Sequence, residues 1–178
     1  MSNQPDMSYL DASAHLRYLE QLVRDGYSLG RSIQCTLIRS KDNDNYLVQT
    51  EQGKYILRIY RYQKHWLTRE SDYLFELEWL TFLHNRGLPV SYPIPRQNGG
   101  FLSTLAAPDG QRYWALFSFA HGDQSLTLNQ GWRFGESIAQ IHLASDKFNP
   151  THMRFHADLT WLLDKSMRRL QDFLGGTH

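Results

Sequence analysis

The chain has a single cysteine, Cys35, in its 178 residues, so no internal disulfide can hold it together. It has no excess of charge either, with 19 Lys and Arg against 18 Asp and Glu. A global field that recruits nucleic acid or an acidic membrane surface is thereby excluded, and partners have to be read locally. Long apolar runs are missing as well. The most apolar stretch, Trp114 to Ala120, falls far short of the roughly 18 residues that a membrane-spanning helix needs. The amino terminus, Met1 to Asp6, is polar with no apolar signal core behind it. Together these absences predict a soluble protein in a reducing, cytoplasmic setting, with no membrane and no nucleic acid among its partners. What is present is a globular composition, 41% hydrophobic and 21% charged, sufficient for one domain's core.

Between Asp11 and Asp25, Leu16, Leu19, Leu22 and Val23 recur at helical spacing, and Gly26 ends the run. Three short runs follow: Ser32 to Ile38, Tyr46 to Thr50 and Lys54 to Arg61. Polar turns at Lys41 to Asp44 and Glu51 to Gly53 divide them, which predicts an antiparallel meander. Leu67 to Arg86 then reads as a long helix with Leu74, Leu77, Leu80, Phe82 and Leu83 on a broad face, stopped by Gly87 and Pro89. An extended connection through Pro93 and Pro95 leads to strands at Phe101 to Ala106 and Tyr113 to Ala120, with a turn at Pro108-Asp109-Gly110. Beyond Gly122 the chain turns polar. A helical pattern then runs from Trp132 through Phe134, Ile138, Ile141 and His142 towards Ser145. A final helix spans Leu159 to Leu174 and carries Leu162, Leu163, Met167, Leu170 and Leu174. Three parts are expected: residues 1–26 as a helical segment, 27–122 as a strand-rich lobe with a hinge at 117–122, and 123–178 as the start of a helical lobe.

Three strands, a long helix, two strands and a polar crossover into helices is the element order of the small lobe of protein-kinase-like phosphotransferases. The third strand places Ile56 and Arg58 on one face, an apolar contact beside a cation. In a kinase this strand presents an aliphatic side chain to adenine and a cation to the phosphates. Taken alone, Arg58 and Arg61 read better as solvated strand residues, and only the neighbouring elements favour the cleft. A kinase also needs a carboxylate on the following helix to hold the cation. Glu76 is the candidate and Glu78 the alternative; they point roughly 200° apart around the helix, so only one can face the cleft. The turn Ser40 to Asn45 lies where a phosphate-covering loop belongs but contains no glycine, so hydroxyl, amide and backbone donors have to serve.

Several stretches together resemble the aminoglycoside phosphotransferase and choline kinase-like superfamily, nearest to its stress-response kinase A type and type II homoserine kinase branches. They are Ser40 to Tyr46, Tyr55 to Arg61, Phe75 to Leu80, Gly87 to Ile94, Tyr113 to Gly122 and Ile138 to His142. The resemblance runs in order over about residues 27 to 165. It implies an α+β fold: a five-stranded antiparallel sheet with one long helix after the third strand, an N-terminal helix, and the first helices of a truncated large lobe. It also implies an ATP site. Phe117 would sit behind the adenine pocket, and the Ser118 carbonyl and Ala120 amide would bond adenine. Ile56 would pack on the base, Arg58 would approach the phosphates, Glu76 would orient Arg58, and Ser40 and Asn43 match the polar phosphate loop. Arg58 stands where lysine is commoner, and a planar fork replaces a point charge.

The catalytic base of such a kinase lies in an H-x-D-x-x-x-x-N loop. His121-Gly122-Asp123 has Leu128 where asparagine is required, and His156-Ala157-Asp158 has Leu163 there. Neither is followed by an apolar strand ending in aspartate, and His142 is assigned no chemistry. No catalytic residue and no metal ligand is therefore predicted in this chain, with Mg2+ expected only in a complete enzyme. Two functions fit. One is the nucleotide-binding part of an ATP-dependent phosphotransferase whose hydroxyl acceptor is a small molecule or a protein Ser or Thr, the chain alone being inactive. The other is a non-catalytic kinase-like module completed by another chain. The first leaves the apolar face of the last helix exposed for association, including self-association; the second predicts a chain that is stable alone and has a protein partner. A nucleic-acid platform on Tyr113 to Phe119 is disfavoured, because Trp114, Leu116 and Ser118 form no run of aromatics beside basic residues.

Overall fold

Short apolar runs, interrupted by polar turns, set up the strands. A computed structural model describes residues 12–61, 69–122, 127–156 and 158–175. Helix α1 (Ala12–Gly26) leads into β1 (Ile33–Ser40), β2 (Asn43–Thr50) and β3 (Gly53–Tyr60), followed by α2 (Glu70–Asn85), β4 (Ser103–Ala107) and β5 (Gly110–Ser118). The strands form one antiparallel sheet in the order β1-β2-β3-β5-β4. The expected α+β lobe is present, with its long helix after the third strand.

Paired residues share a face and neighbours alternate, so the register sorts the side chains into two layers. Cys35, Val48, Leu57 and Leu116 face α1 and pack with its Leu19 and Val23. Ile56, Arg58, Ala115 and Phe117 face the other way, where Tyr73 and Leu77 of α2 close a second core with Tyr60. Each fully buried leucine here contributes about 2 kcal/mol through removal of apolar surface from water.

Helix α2 is fixed at both ends. At its start the carboxylate of Asp72, 1% exposed, accepts from the backbone N–H of Arg69 at 3.1 Å and of Phe155 at 3.1 Å. At its end Gly87 takes φ 74°, with Gly87 N–H bonded to the His84 carbonyl and Leu88 N–H to the Leu83 carbonyl. This Schellman closure uses the left-handed conformation that glycine adopts without strain.

Helix α3 (Leu128–Ser145) is opened by a reciprocal cap between Thr127 and Gln130. It reaches α2 at its far end, where Trp79 Nε1 donates to Ser145 Oγ at 2.9 Å and Phe148 sits between Phe75 and Phe82. A wide π-helical turn (Thr160–Asp164) leads into α4 (Lys165–Gly175). Leu162, Leu163, Met167, Leu170 and Leu174 are all more than half exposed.

Several boundaries differ from the sequence expectation. Strand β1 continues to Ser40 and β2 begins at Asn43, so the expected loop from Lys41 to Asp44 shrinks to a two-residue turn. The polar side chains there are absorbed by partners: Asp44 takes bonds from Ser40 and from Arg112 at 2.9 Å, and Asn45 meets Arg58. Strand β5 starts at Gly110 because Gly110 to Arg112 continue the ladder with β4, and it ends at Ser118. Asp11, Leu67, Thr68, Asp123 and Ala157, which fell in expected helices or motifs, lie outside the described residues.

Candidate functional site

The face of the sheet covered by α2 carries a cation with three kinds of neighbour. Arg58 Nη1 donates to Glu76 Oε1 at 2.7 Å, and Arg58 Nε reaches Asn45 Oδ1 at 3.4 Å. The guanidinium carbon lies 4.5 Å from the centre of the Phe117 ring and 5.9 Å from that of Tyr60. A strand, the helix after it and the neighbouring strand β5 therefore converge on one side chain. Arg58 and Glu76 are 28% and 20% exposed, which leaves the pair accessible from one side. A guanidinium carries five N–H donors, so these bonds leave others on its exposed side that can meet an anion.

The two helix carboxylates separate as their spacing requires. Glu76 meets Arg58, whereas Glu78 turns outward and binds the segment after α3. Its oxygens accept from Thr151 Oγ1 at 2.8 Å, Thr151 N at 3.0 Å, His152 N at 3.3 Å and His152 Nδ1 at 3.2 Å. Burial alone would push the Glu78 carboxyl up, but the hydrogen bonds from Thr151 and His152 outweigh it and hold the group below its ordinary value.

Ile56 and Phe117 are directly paired across β3 and β5 and lie on the Arg58 face. Asn43 lies on the same face as Asn45, two residues away, and its Oδ1 is buried without a hydrogen-bond partner. Ser40 is placed differently. One extra residue in β1, between Leu37 and Arg39, shifts the register and pairs Ser40 with Asp44. An added residue turns every later side chain to the other face. The Ser40 hydroxyl accordingly donates to Asp44 on the α1 side, away from Arg58. Ser118 ends the strand with its carbonyl accepting from Ser91 Oγ at 2.7 Å and its Oγ accepting from Tyr92 N at 3.0 Å. One lone pair of that carbonyl remains for another donor. Ala120 is exposed, just past the strand end.

Three neighbours were not read from the sequence. Asn45 sits in the stretch taken as a loop, and strand alternation with Asn43 is the signal that finds it. Tyr60 lies two residues beyond Arg58 on the same face, and its hydroxyl is pushed well above its usual range by burial first and by Glu76 second. Ser91 carries no sequence signal; it reaches Ser118 because Tyr92 to Ile94 runs alongside the end of β5. Among the described residues, no three of His, Cys, Asp and Glu gather to hold a metal ion, and no helix is long and apolar enough to cross a membrane.

Residues 34–175 match the phosphotransferase enzyme family, APH. An uncharacterised protein of Synechocystis sp. is 38% identical over 159 residues, covering 88% of this chain and 43% of the relative. A homoserine kinase of Caulobacter vibrioides is 28% identical over 157 residues, 85% of this chain and 47% of the relative. The chain thus spans less than half the length of these curated relatives. A microcompartment-associated aminopropanol kinase superposes with a TM-score of 0.67 at 25% identity, over 84% of this chain and 47% of that one. An amicoumacin kinase solved in complex with AMP-PNP and Ca2+ shares the fold, with a TM-score of 0.59 at 20% identity over 92% of this chain and 56% of the other.

Proposed function

The chain belongs to the APH phosphotransferase enzyme family, and on that premise we propose that it carries the nucleotide-binding portion of an ATP-dependent kinase that phosphorylates a hydroxyl acceptor. The observation that supports this reading most is the 2.7 Å pair of Arg58 and Glu76 above the Phe117 ring. Phosphoryl transfer depends mainly on positioned charge, and a cation held by a helix carboxylate is one of its recurring parts.

In this reading Arg58 meets the phosphates on its exposed side, with the side-chain NH2 groups of Asn43 and Asn45 nearby as donors. Ile56 packs on the base, Phe117 backs the pocket, and the Ser118 carbonyl and Ala120 amide bond adenine. Ser40 contributes through its backbone at the hairpin tip, because its hydroxyl is engaged by Asp44. A magnesium ion accompanying ATP would neutralise charge on the phosphates, and we assign it no ligand in this chain. The proton-accepting aspartate belongs to the part of the relatives that this chain does not span. Residues 1–26, 27–122 and 123–178 are then the N-terminal segment that carries α1, the nucleotide lobe with its hinge at 117–122, and the opening of the helical lobe. The chain by itself binds nucleotide without turnover. Relatives named for homoserine and aminopropanol favour a small hydroxyl compound over a protein Ser or Thr as acceptor. The single buried cysteine is in keeping with a cytoplasmic setting.

Titration of the 15N-labelled chain with Mg-ATP tests the assignment. Saturable shifts at the amides of Ile56, Arg58, Phe117 and Ala120 are expected; shifts elsewhere, or none, contradict it.

A further inference from the structure

A second concavity lies beside α2 and does not include Arg58. It is a cleft of about 480 Å³ between α2 and the segment 147–152 that follows α3. Ile56, Arg58, Phe117 and Ser118 do not line it, so it is distinct from the site on the sheet. Its volume falls within the range of roughly 300–1,000 Å³ typical of small-molecule sites.

The floor is apolar. Leu74, Leu77 and Phe82 of α2 line it together with Phe101 and Phe148, whose ring lies against that of Phe82 at 5.0 Å between centres. Glu78 is the one carboxylate lining the cleft among the described residues, and both its oxygens are engaged by Thr151 and His152. Two cations in or beside it have no carboxylate partner among the described residues. Lys147 lines the cleft, is exposed, and has no carboxylate partner among the described residues. Arg86 does not line the cleft, but its guanidinium lies 3.6 Å from the centre of the ring of Phe82, which does, and it is likewise without a carboxylate among the described residues.

An apolar floor beneath two unpaired cations complements an anion with an apolar body. We propose that this cleft is a binding site for a small molecule of that class, an aromatic or aliphatic body ending in a carboxylate, sulfonate or similar anionic group. The body displaces water from Leu74, Phe82 and Phe148, and the anion is met by Lys147 and Arg86. The site stands apart from the nucleotide assignment and does not depend on it.

The probe is 8-anilinonaphthalene-1-sulfonate, a two-ring body with one sulfonate, titrated into the 15N-labelled chain. Saturable shifts are expected at the amides of Phe148, Thr151 and His152. Replacing both cations, Lys147→Gln with Arg86→Gln, should weaken binding about tenfold, the scale of one lost charge-assisted hydrogen bond. The same charge removal on α4, Arg168→Gln with Arg169→Gln, should leave it unchanged. The uncharged analogue N-phenyl-1-naphthylamine should bind about tenfold more weakly, by the same measure. Shifts confined to α3 and α4, equal weakening in both double variants, or equal affinity for the uncharged analogue would each overturn the proposal. Both double variants alter exposed side chains, and an unchanged amide spectrum before titration confirms that the fold is kept.

Discussion

The guanidinium of Arg58 and the carboxylate of Glu76 meet at 2.7 Å, although β3 and α2 place them 18 positions apart in sequence. Arg58 stands on the sheet and Glu76 on the helix that covers it, so the pair reports how α2 is seated. A double-mutant cycle of Arg58→Ala and Glu76→Ala in urea unfolding should give a coupling of about 1 kcal/mol, at the upper end for exposed ion pairs because both groups are largely covered. Coupling indistinguishable from zero would show that the contact does not hold α2 in place.

Glu78 should behave as a clamp with a definite pH dependence. Its carboxyl lies below the ordinary value in the folded chain, where hydrogen bonds from Thr151 and His152 outweigh the upward effect of burial. A lowered folded value gives stabilisation that is fully present above the unfolded value and is lost as pH falls through the folded one. At neutral pH, Glu78→Gln should speed hydrogen exchange at the Thr151 and His152 amides about tenfold or more, the effect of losing a charged acceptor. Unaltered exchange at both amides would remove the clamp from the account.

Cys35 should be inert in the native chain. Burial first, and the nearby Glu20 carboxylate second, push its thiol up to about 12, and the residue is 6% exposed. The thiolate is the reactive form, so iodoacetamide at pH 8 should leave the folded chain unmodified and label it fully in denaturant. Mass spectrometry reads the difference, and rapid native labelling would contradict the burial.

Much of the architecture was legible in the sequence. The apolar runs gave five strands and the long helix in order, and the 200° separation of Glu76 and Glu78 correctly required them to face different partners. The hairpin tip was not legible. Asn43, Asp44 and Asn45 look like a loop because they are polar, yet they are strand residues whose side chains are satisfied by Ser40, Arg112 and Arg58 or left facing the site. Nor does any sequence signal announce the extra residue after Leu37, which turns Ser40 to the opposite face. Tertiary pairing decides both features, and local propensity does not record it.

The apolar faces of the last two helices should drive association. Trp132, Phe134, Leu163, Leu170 and Phe173 are all more than half exposed, and exposed apolar surface of this kind favours self-association or a partner. In sedimentation velocity the mass should rise with concentration. Leu163→Gln with Phe173→Gln should abolish the rise without lowering the unfolding midpoint, because neither side chain is buried in the folded chain. A strictly monomeric wild-type chain would contradict this.

The most direct test of the nucleotide assignment is calorimetric titration of the chain with Mg-ATP, wild type against Arg58→Ala and Glu76→Gln. The account requires saturable binding by the wild type, a loss of about tenfold or more in Arg58→Ala from the missing charged donor, and a smaller loss in Glu76→Gln, which leaves the cation present but unheld. Binding that is equal in all three, or absent from the wild type, would contradict it.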